Sequence, residues 1–151
     1  MKQLFSDSAV REFKRVLLSC MELNNSTKGL LYLLDMESGD FRLAAYYGYL
    51  KRSAQIENYE YNHPLISIIF RKRSAFQVND PIAYPDLNDY LSQQDIQSAQ
   101  ITPIYYDDRI AGFIEERNRA GNQYYTDEKA VNSKWIADAV KSIMAKNDGR
   151  Q

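Results

Sequence analysis

One cysteine, one histidine and one tryptophan are all that this 151-residue chain holds of three residue types on which much protein chemistry depends. With Cys20 alone there is no internal disulfide and no Cys/Cys redox pair, and Cys20 with His63 cannot build a structural zinc site. Catalysis that needs several His or Cys is excluded with them. Net charge is lacking as well: 19 Lys and Arg stand against 20 Asp and Glu, giving −1, so bulk attraction to nucleic acid or to an anionic membrane is absent and any such binding needs a local patch. No apolar run approaches the length of a membrane span. Leu17-Leu18-Ser19-Cys20 has the look of a lipoprotein cleavage box, but Asp7, Arg11, Glu12, Lys14 and Arg15 interrupt the apolar stretch that a signal peptide needs. One unpaired cysteine suits a reducing compartment, and a cytoplasmic location is expected.

What is present is a composition of 44% hydrophobic and 26% charged residues, with glycine and proline few. That profile excludes the fibrous, disordered and disulfide-rich classes and predicts one soluble globular domain over residues 1–151. The abundant residue is tyrosine, at twelve.

From about residue 6 to 25, Val10, Phe13, Val16, Leu17, Cys20, Met21 and Asn24 recur at three- and four-residue steps, which predicts an amphipathic helix capped by Ser6 or Asp7. Cys20 on that stripe reads as a small buried hydrophobe. The apolar runs Gly29–Leu34 and Phe41–Tyr47 flank a polar, Gly-containing connection and predict a β-hairpin, ended by Gly48. Asn62-His63-Pro64 opens a second helix, with Leu65, Ile66, Ile68, Ile69 and Phe70 on its buried side, His63 as its cap and Arg71-Lys72-Arg73 complementing its negative end. Ala75–Val78 is a short strand, and 82–97 is a polar segment with one or two helical turns. Ser98–Tyr106 and Arg109–Arg117 form a hairpin around Asp107-Asp108. Thr126 caps a last helix, at about 127–146, whose stripe is Ala130, Val131, Trp135, Ile136, Ala139, Val140, Ile143 and Met144. Tight turns between successive strands predict an antiparallel sheet with the terminal helices packed on one face, an α+β domain.

In this order and spacing the elements resemble a GAF domain over nearly the whole chain. The resemblance is carried by Leu31-Tyr32-Leu33-Leu34-Asp35 with Ser38-Gly39, and by Phe76, Val78, Asn79 and Asp80. It is carried further by Ile101-Thr102-Pro103-Ile104, Asp108-Arg109-Ile110-Ala111-Gly112-Phe113-Ile114, and Tyr125-Thr126-Asp127-Glu128. It implies a GAF-like, profilin-like fold: a sheet with both terminal helices on one face and, on the other, a small-molecule pocket roofed by the irregular segment. It also implies ligand sensing passed on through the terminal helices. Glu115 takes the position of a Glu that lies near the nucleotide in cyclic-nucleotide-binding members, and Asn118, Arg119, Asp127 and Glu128 are similar to the rest of their signature. Arg119 in place of Lys, and Tyr124 one residue too close to Asp127 to stand for the expected Phe, depart from it.

Strand alternation puts Ser98, Gln100 and Thr102 on one face of their strand and Ala99, Ile101 and Pro103 on the other. A sheet covered on both sides leaves Gln100 and Thr102 in need of hydrogen-bond partners, supplied by a ligand, by solvent where the strand ends fray, or by the two hairpin strands satisfying each other. Glu115 and Glu116 take opposite faces of the next strand, so one carboxylate points at a covered face. The expected ligand-binding set is Tyr47, Asp80, Tyr84, Tyr90, Gln100, Thr102 and Glu115, in which tyrosine rings offer stacking faces and hydroxyls give direction. Eleven of the twelve tyrosines fall between Tyr46 and Tyr125, away from the terminal helices.

The leading expectation is a non-enzymatic regulatory sensor of an unidentified small molecule, a cyclic nucleotide among the candidates, that forms a homodimer through its terminal helices. A charge at Val140 is expected to break that dimer. The alternative is a dimerisation or protein-interaction module whose pocket its own side chains fill. GAF-like methionine sulfoxide reductases use a set of cysteines that this chain lacks. Neither cofactor nor metal is expected, and no membrane or nucleic-acid partner, the basic clusters being confined to Lys51-Arg52 and Arg71-Lys72-Arg73.

Overall fold

A computed structural model describes residues 5–79, 83–92, 96–125 and 133–148. Helix α1 runs Asp7–Asn24; the Ser6 hydroxyl accepts from the Ala9 N–H at 3.1 Å, and Asn25 in the left-handed region closes it. Strands β1 (Ser26–Leu34) and β2 (Phe41–Tyr47) form the first hairpin, with Asp35 and Ser38 bonding one another and the turn backbone. Helix α2 (Ala54–Glu57) and strand β3 (Asn58–Tyr59) lead into α3 (Pro64–Lys72), then β4 (Phe76–Val78). A 3-10 turn (Pro85–Leu87) and α4 (Asn88–Leu91) come next, then β5 (Ala99–Tyr106), β6 (Arg109–Arg119) and α5 (Ser133–Asp148). The six strands make one antiparallel sheet in the order β3-β2-β1-β6-β5-β4.

Alternation along the central strands divides the core in two. Leu31 and Leu33 of β1, Ile104 of β5 and Ile114 of β6 face α1 and α5, where they meet Phe13, Leu17, Cys20, Ile136, Val140 and Ile143. Leu30, Tyr32, Ile101 and Phe113 face the other way, toward α2, α3, α4 and the 3-10 turn. The expected arrangement of both terminal helices on one face is the one observed. Proline at the first position of α3 and the His63 Nδ1 accepting from the Leu65 N–H at 3.0 Å start that helix as its sequence predicts.

Three expectations need correction. Phe70 is not on the buried side of α3 but 52% exposed; it sits about 100° around the helix from Ile69, at the stripe's margin, with its ring set against Phe41. Val140 is fully buried against the sheet, so it belongs to the core and not to an outer surface. The sequence reading assigns no element between Gly48 and Asn62, and α2 and β3 lie there, drawn in by the Arg52–Glu57 ion pair and by Phe41 and Arg42 pairing with Tyr59 and Asn58. The expected cap and start of the last helix at Thr126–Glu128, and Ala130 and Val131 of its stripe, lie outside the described residues.

The two basic clusters are partly engaged locally. Arg73 closes α3 in the left-handed region and donates through Nη2 to the Asp108 carbonyl at 2.8 Å, while Lys72 lies over the Tyr84 ring. Arg52 is held by Glu57 and by the Leu43 carbonyl. No helix among the described residues is long and apolar enough to cross a membrane.

Candidate functional site

Strand β6 carries Glu115, Glu116 and Arg117 in succession, and all three are buried. Pairing fixes which face each one takes. Glu115 lies opposite Leu30 and Ile101, on the face away from the terminal helices, and Glu116 lies opposite Gly29 and Gln100, on the face beneath them. Arg117, two residues beyond Glu115, shares its face.

On that face the charges gather the tyrosines. Tyr59 donates its hydroxyl to Glu115 Oε1 at 2.8 Å, Tyr90 donates to Oε2, and Arg117 Nε donates to the same Oε2 at 2.7 Å. Arg117 also donates through Nη1 to the Tyr49 hydroxyl at 2.8 Å and through Nη2 to that of Tyr59 at 3.4 Å, and its guanidinium lies 5.8 Å from the Tyr90 ring centroid. Next to this network the Tyr32 hydroxyl donates to the Ile56 carbonyl at 2.9 Å, and the Tyr32 and Phe113 rings stack at 5.0 Å. His63 meets the Tyr59 ring edge-on.

The electrostatics follow from this packing. Burial, reinforced by the Glu115 charge, pushes the phenols of Tyr32, Tyr59 and Tyr90 well above the ordinary tyrosine range, so each remains a hydrogen-bond donor. For Arg117, burial alone would favour loss of the proton, but Glu115 and the hydroxyls of Tyr90, Tyr59 and Tyr49 outweigh it and hold the guanidinium charged. Arg117 and Glu115 thus form a buried ion pair whose remaining hydrogen-bond capacity is met by tyrosine hydroxyls, the condition under which such a pair is tolerated at all.

A second polar group lies on the opposite face. Glu116 accepts from Asn24 Nδ2 of α1 at 2.8 Å and from the Ser26 hydroxyl at 3.0 Å, and Ser26 also bonds the Tyr125 hydroxyl at 2.8 Å. Burial raises this carboxyl to about 7, against the two hydrogen bonds that favour its charged form. Cys20 stands on the same face, its thiol pushed far up by burial and then by the Glu116 charge.

The expected ligand set is therefore split. Glu115 and Tyr90 are brought together on the face away from the terminal helices, and Tyr84 packs its ring against Phe76 at the margin of that core. Gln100 and Thr102 are buried as expected but lie opposite Glu116 and Ile114, on the terminal-helix face. Gln100 Oε1 accepts from Gln77 Nε2 at 3.5 Å, while Gln100 Nε2 and Thr102 Oγ1 have no hydrogen-bond partner among the described residues. Tyr47 is at the far end of β2, 44% exposed, with Lys14 over its ring. Asp80 lies outside the described residues. The network also contains Tyr49, Tyr59 and Arg117, which sequence reasoning did not single out. Arg117 was within reach, because a residue two positions from Glu115 on one strand must share its face. Tyr49 and Tyr59 carried no local signal that distinguished them from the other tyrosines.

Comparison with known proteins bears on the fold. No family model matches the chain, and no curated protein matches it either. Solved structures do match along almost its whole length. The GAF domain of a phosphoenolpyruvate-protein phosphotransferase from Coxiella burnetii superposes with a TM-score of 0.72 at 14% identity, over 96% of this chain and 87% of that one. Residues 122 to 287 of a methyl-accepting chemotaxis protein give 0.69 at 15%, over 95% and 98%. A type II free methionine-R-sulfoxide reductase from Thermoplasma acidophilum gives 0.66 at 18%, over 93% and 97%. The class defined by this sheet order and helix placement is the GAF fold. At these identities the likeness shows the fold alone.

Proposed function

We propose that this chain is a non-enzymatic regulatory domain whose GAF-type pocket is filled by its own side chains, and that it works through its surfaces. One observation carries the reading: both carboxylate oxygens of Glu115 are bonded by the chain's own Tyr59, Tyr90 and Arg117 in the space between sheet and roof. A ligand there would have to break charge-assisted hydrogen bonds before making its own. Thiol chemistry of the kind a cysteine-based reductase needs has no support from Cys20, which is buried on the inner side of α1 and kept as a neutral thiol by burial. The outer sides of α1 and α5, where Leu23 is exposed and Lys146 bridges to Glu12, are the surfaces we assign to self-association. The test is melting of the purified protein with and without a metabolite library that includes cyclic nucleotides, together with native mass spectrometry. The expected result is an unchanged melting temperature and the bare polypeptide mass. A compound that raises the melting temperature progressively with the logarithm of its concentration, or one that co-purifies, overturns the proposal.

The same cluster supports a sensor reading through one feature. A buried Arg–Glu pair contributes little net stability over apolar filling, so a site kept polar at that cost suits recognition of a polar ligand, with Glu115 and Arg117 as the recognising groups once Tyr90 withdraws with the roof. The library experiment separates the two readings.

A further inference from the structure

The sheet ends, on the β3 side, in an edge that is only half covered. Strand β3 pairs with β2 at Phe41 and Arg42 alone, and among the described residues no strand lies beyond Leu43–Tyr47 on that side. The Leu43 carbonyl is taken by Arg52 Nη2 at 2.9 Å. The following four residues, Ala44–Tyr47, line a cleft of about 640 Å³ whose other walls are Val10 and Lys14 of α1 and the Gly48–Arg52 loop. Four residues of strand span ~13 Å.

The chemistry of the cleft has a direction. Its described lining holds two cations, Lys14 and Arg52, and no carboxylate. Arg52 is paired with Glu57, whereas Lys14 rests on the face of the Tyr47 ring, and Lys51 is exposed in the chain between Leu50 and Arg52, which both line the cleft. Apolar surface is present too: Leu50 is fully exposed and Tyr47 nearly half exposed. Alanines at Ala44 and Ala45 leave the strand without bulk on the side of α1.

We infer that this edge is a docking site for an extended, acidic segment of a partner protein, which adds to β2 along Ala44–Tyr47 by backbone hydrogen bonds and places alternate side chains against Leu50 and Tyr47. Main-chain pairing supplies affinity in such strand addition, and the side chains select the partner. The charges choose among occupants. Lys14 and Lys51 would face themselves if a second copy of the chain paired edge to edge, which is how lysines protect open edges; an acidic strand removes that conflict.

The test uses a short peptide of alternating Glu and Val, and its Lys/Val counterpart, titrated into the 15N-labelled protein. The Glu/Val peptide is expected to move the amide resonances of Ala44–Leu50 in a saturable way, weakening with added salt, while the Lys/Val peptide leaves them in place. Lys14→Glu lies on an exposed helix position away from the core and is expected to weaken the Glu/Val peptide by about fivefold, the size of one exposed charge pair. Shifts confined to other parts of the molecule, equal binding of the two peptides, or an unchanged affinity in Lys14→Glu each overturn the inference. So does acetate producing the same saturable shifts as the peptide, since that would assign the cleft to small anions.

Discussion

Glu116 is a carboxyl whose titration moves within the ordinary pH range when the chain folds. Its carboxyl is buried beneath α1 and raised from 4.5 to about 7. A raised acid means that the folded chain keeps a proton which the unfolded chain has released, so the unfolding free energy falls as pH rises between those two values. Stability from this group is complete below about pH 4.5, declines up to about 7 and is flat above it. The loss across the window is on the order of 3 kcal/mol. Glu116→Gln keeps an acceptor for Asn24 or Ser26 without the charge. Urea unfolding at several pH values is expected to show the variant more stable than the parent at pH 8 and lacking the parent's decline; an identical slope in the two proteins would sink the assignment. That Glu115 and Glu116 point to opposite faces was legible in the sequence. Which of them would gather the tyrosines was not, because that depends on the pairing register of β6 with β1, a relation between residues some eighty positions apart.

At the scale of the element, the hairpins, α1, α3 and the terminal-helix layer were all readable from periodicity and turn chemistry. The parts missed were those held by tertiary contact. Helix α2 is too short for a periodic signal, and β3 has two residues, so both exist only because Arg52, Phe41 and Arg42 hold them. Gln100 and Thr102 illustrate a related failure. Their alternation was read correctly, but the face they share with Glu116 follows from a partner strand. Strand β6 itself depends on Gly112 for close approach, since a Cβ there would stand 2.2 Å from the Tyr32 carbonyl oxygen and 2.9 Å from Leu33 Cδ2. Gly112→Ala is therefore expected to lower stability by about 2–3 kcal/mol through overpacking. Gly39→Ala is a useful contrast, because its φ of +79° is unfavourable for alanine but nothing crowds the position; its cost is expected at about 1 kcal/mol. Denaturation midpoints that rank the two variants in the reverse order would show the strand to be less tightly packed than described.

For the whole molecule, the terminal helices form a layer with two distinct sides. The inner side, with Phe13, Leu17, Ile136 and Val140, is core, and a charge at Val140 would unfold the domain before it could test association. The outer side is where Leu23 stands 56% exposed. If α1 and α5 mediate self-association as we propose, Leu23→Glu gives a smaller mass than the parent by light scattering at the same concentration while the far-UV circular dichroism is unchanged. Equal masses remove the helices from consideration as the contact. The tyrosine excess also takes its meaning at this scale. The rings of Tyr32, Tyr59 and Tyr90 fill the space between sheet and roof, and the hydroxyls of Tyr49, Tyr59 and Tyr90 satisfy a charge pair that a purely apolar filling could not.

The run of Glu115, Glu116 and Arg117 has one more consequence, for how the chain finds its pairing during folding. A strand that is apolar on both faces can slide by one residue and lose little. If β6 slid by one, Arg117 would enter the apolar layer under α1 and α5, Glu116 would arrive among the tyrosine hydroxyls, and Asn24 would lose its acceptor. The Arg117 charge is then stranded without its carboxylate, at a penalty of several kcal/mol. The buried charges thus act as a lock on alignment at the centre of the sheet, the place where an error would be hardest to undo.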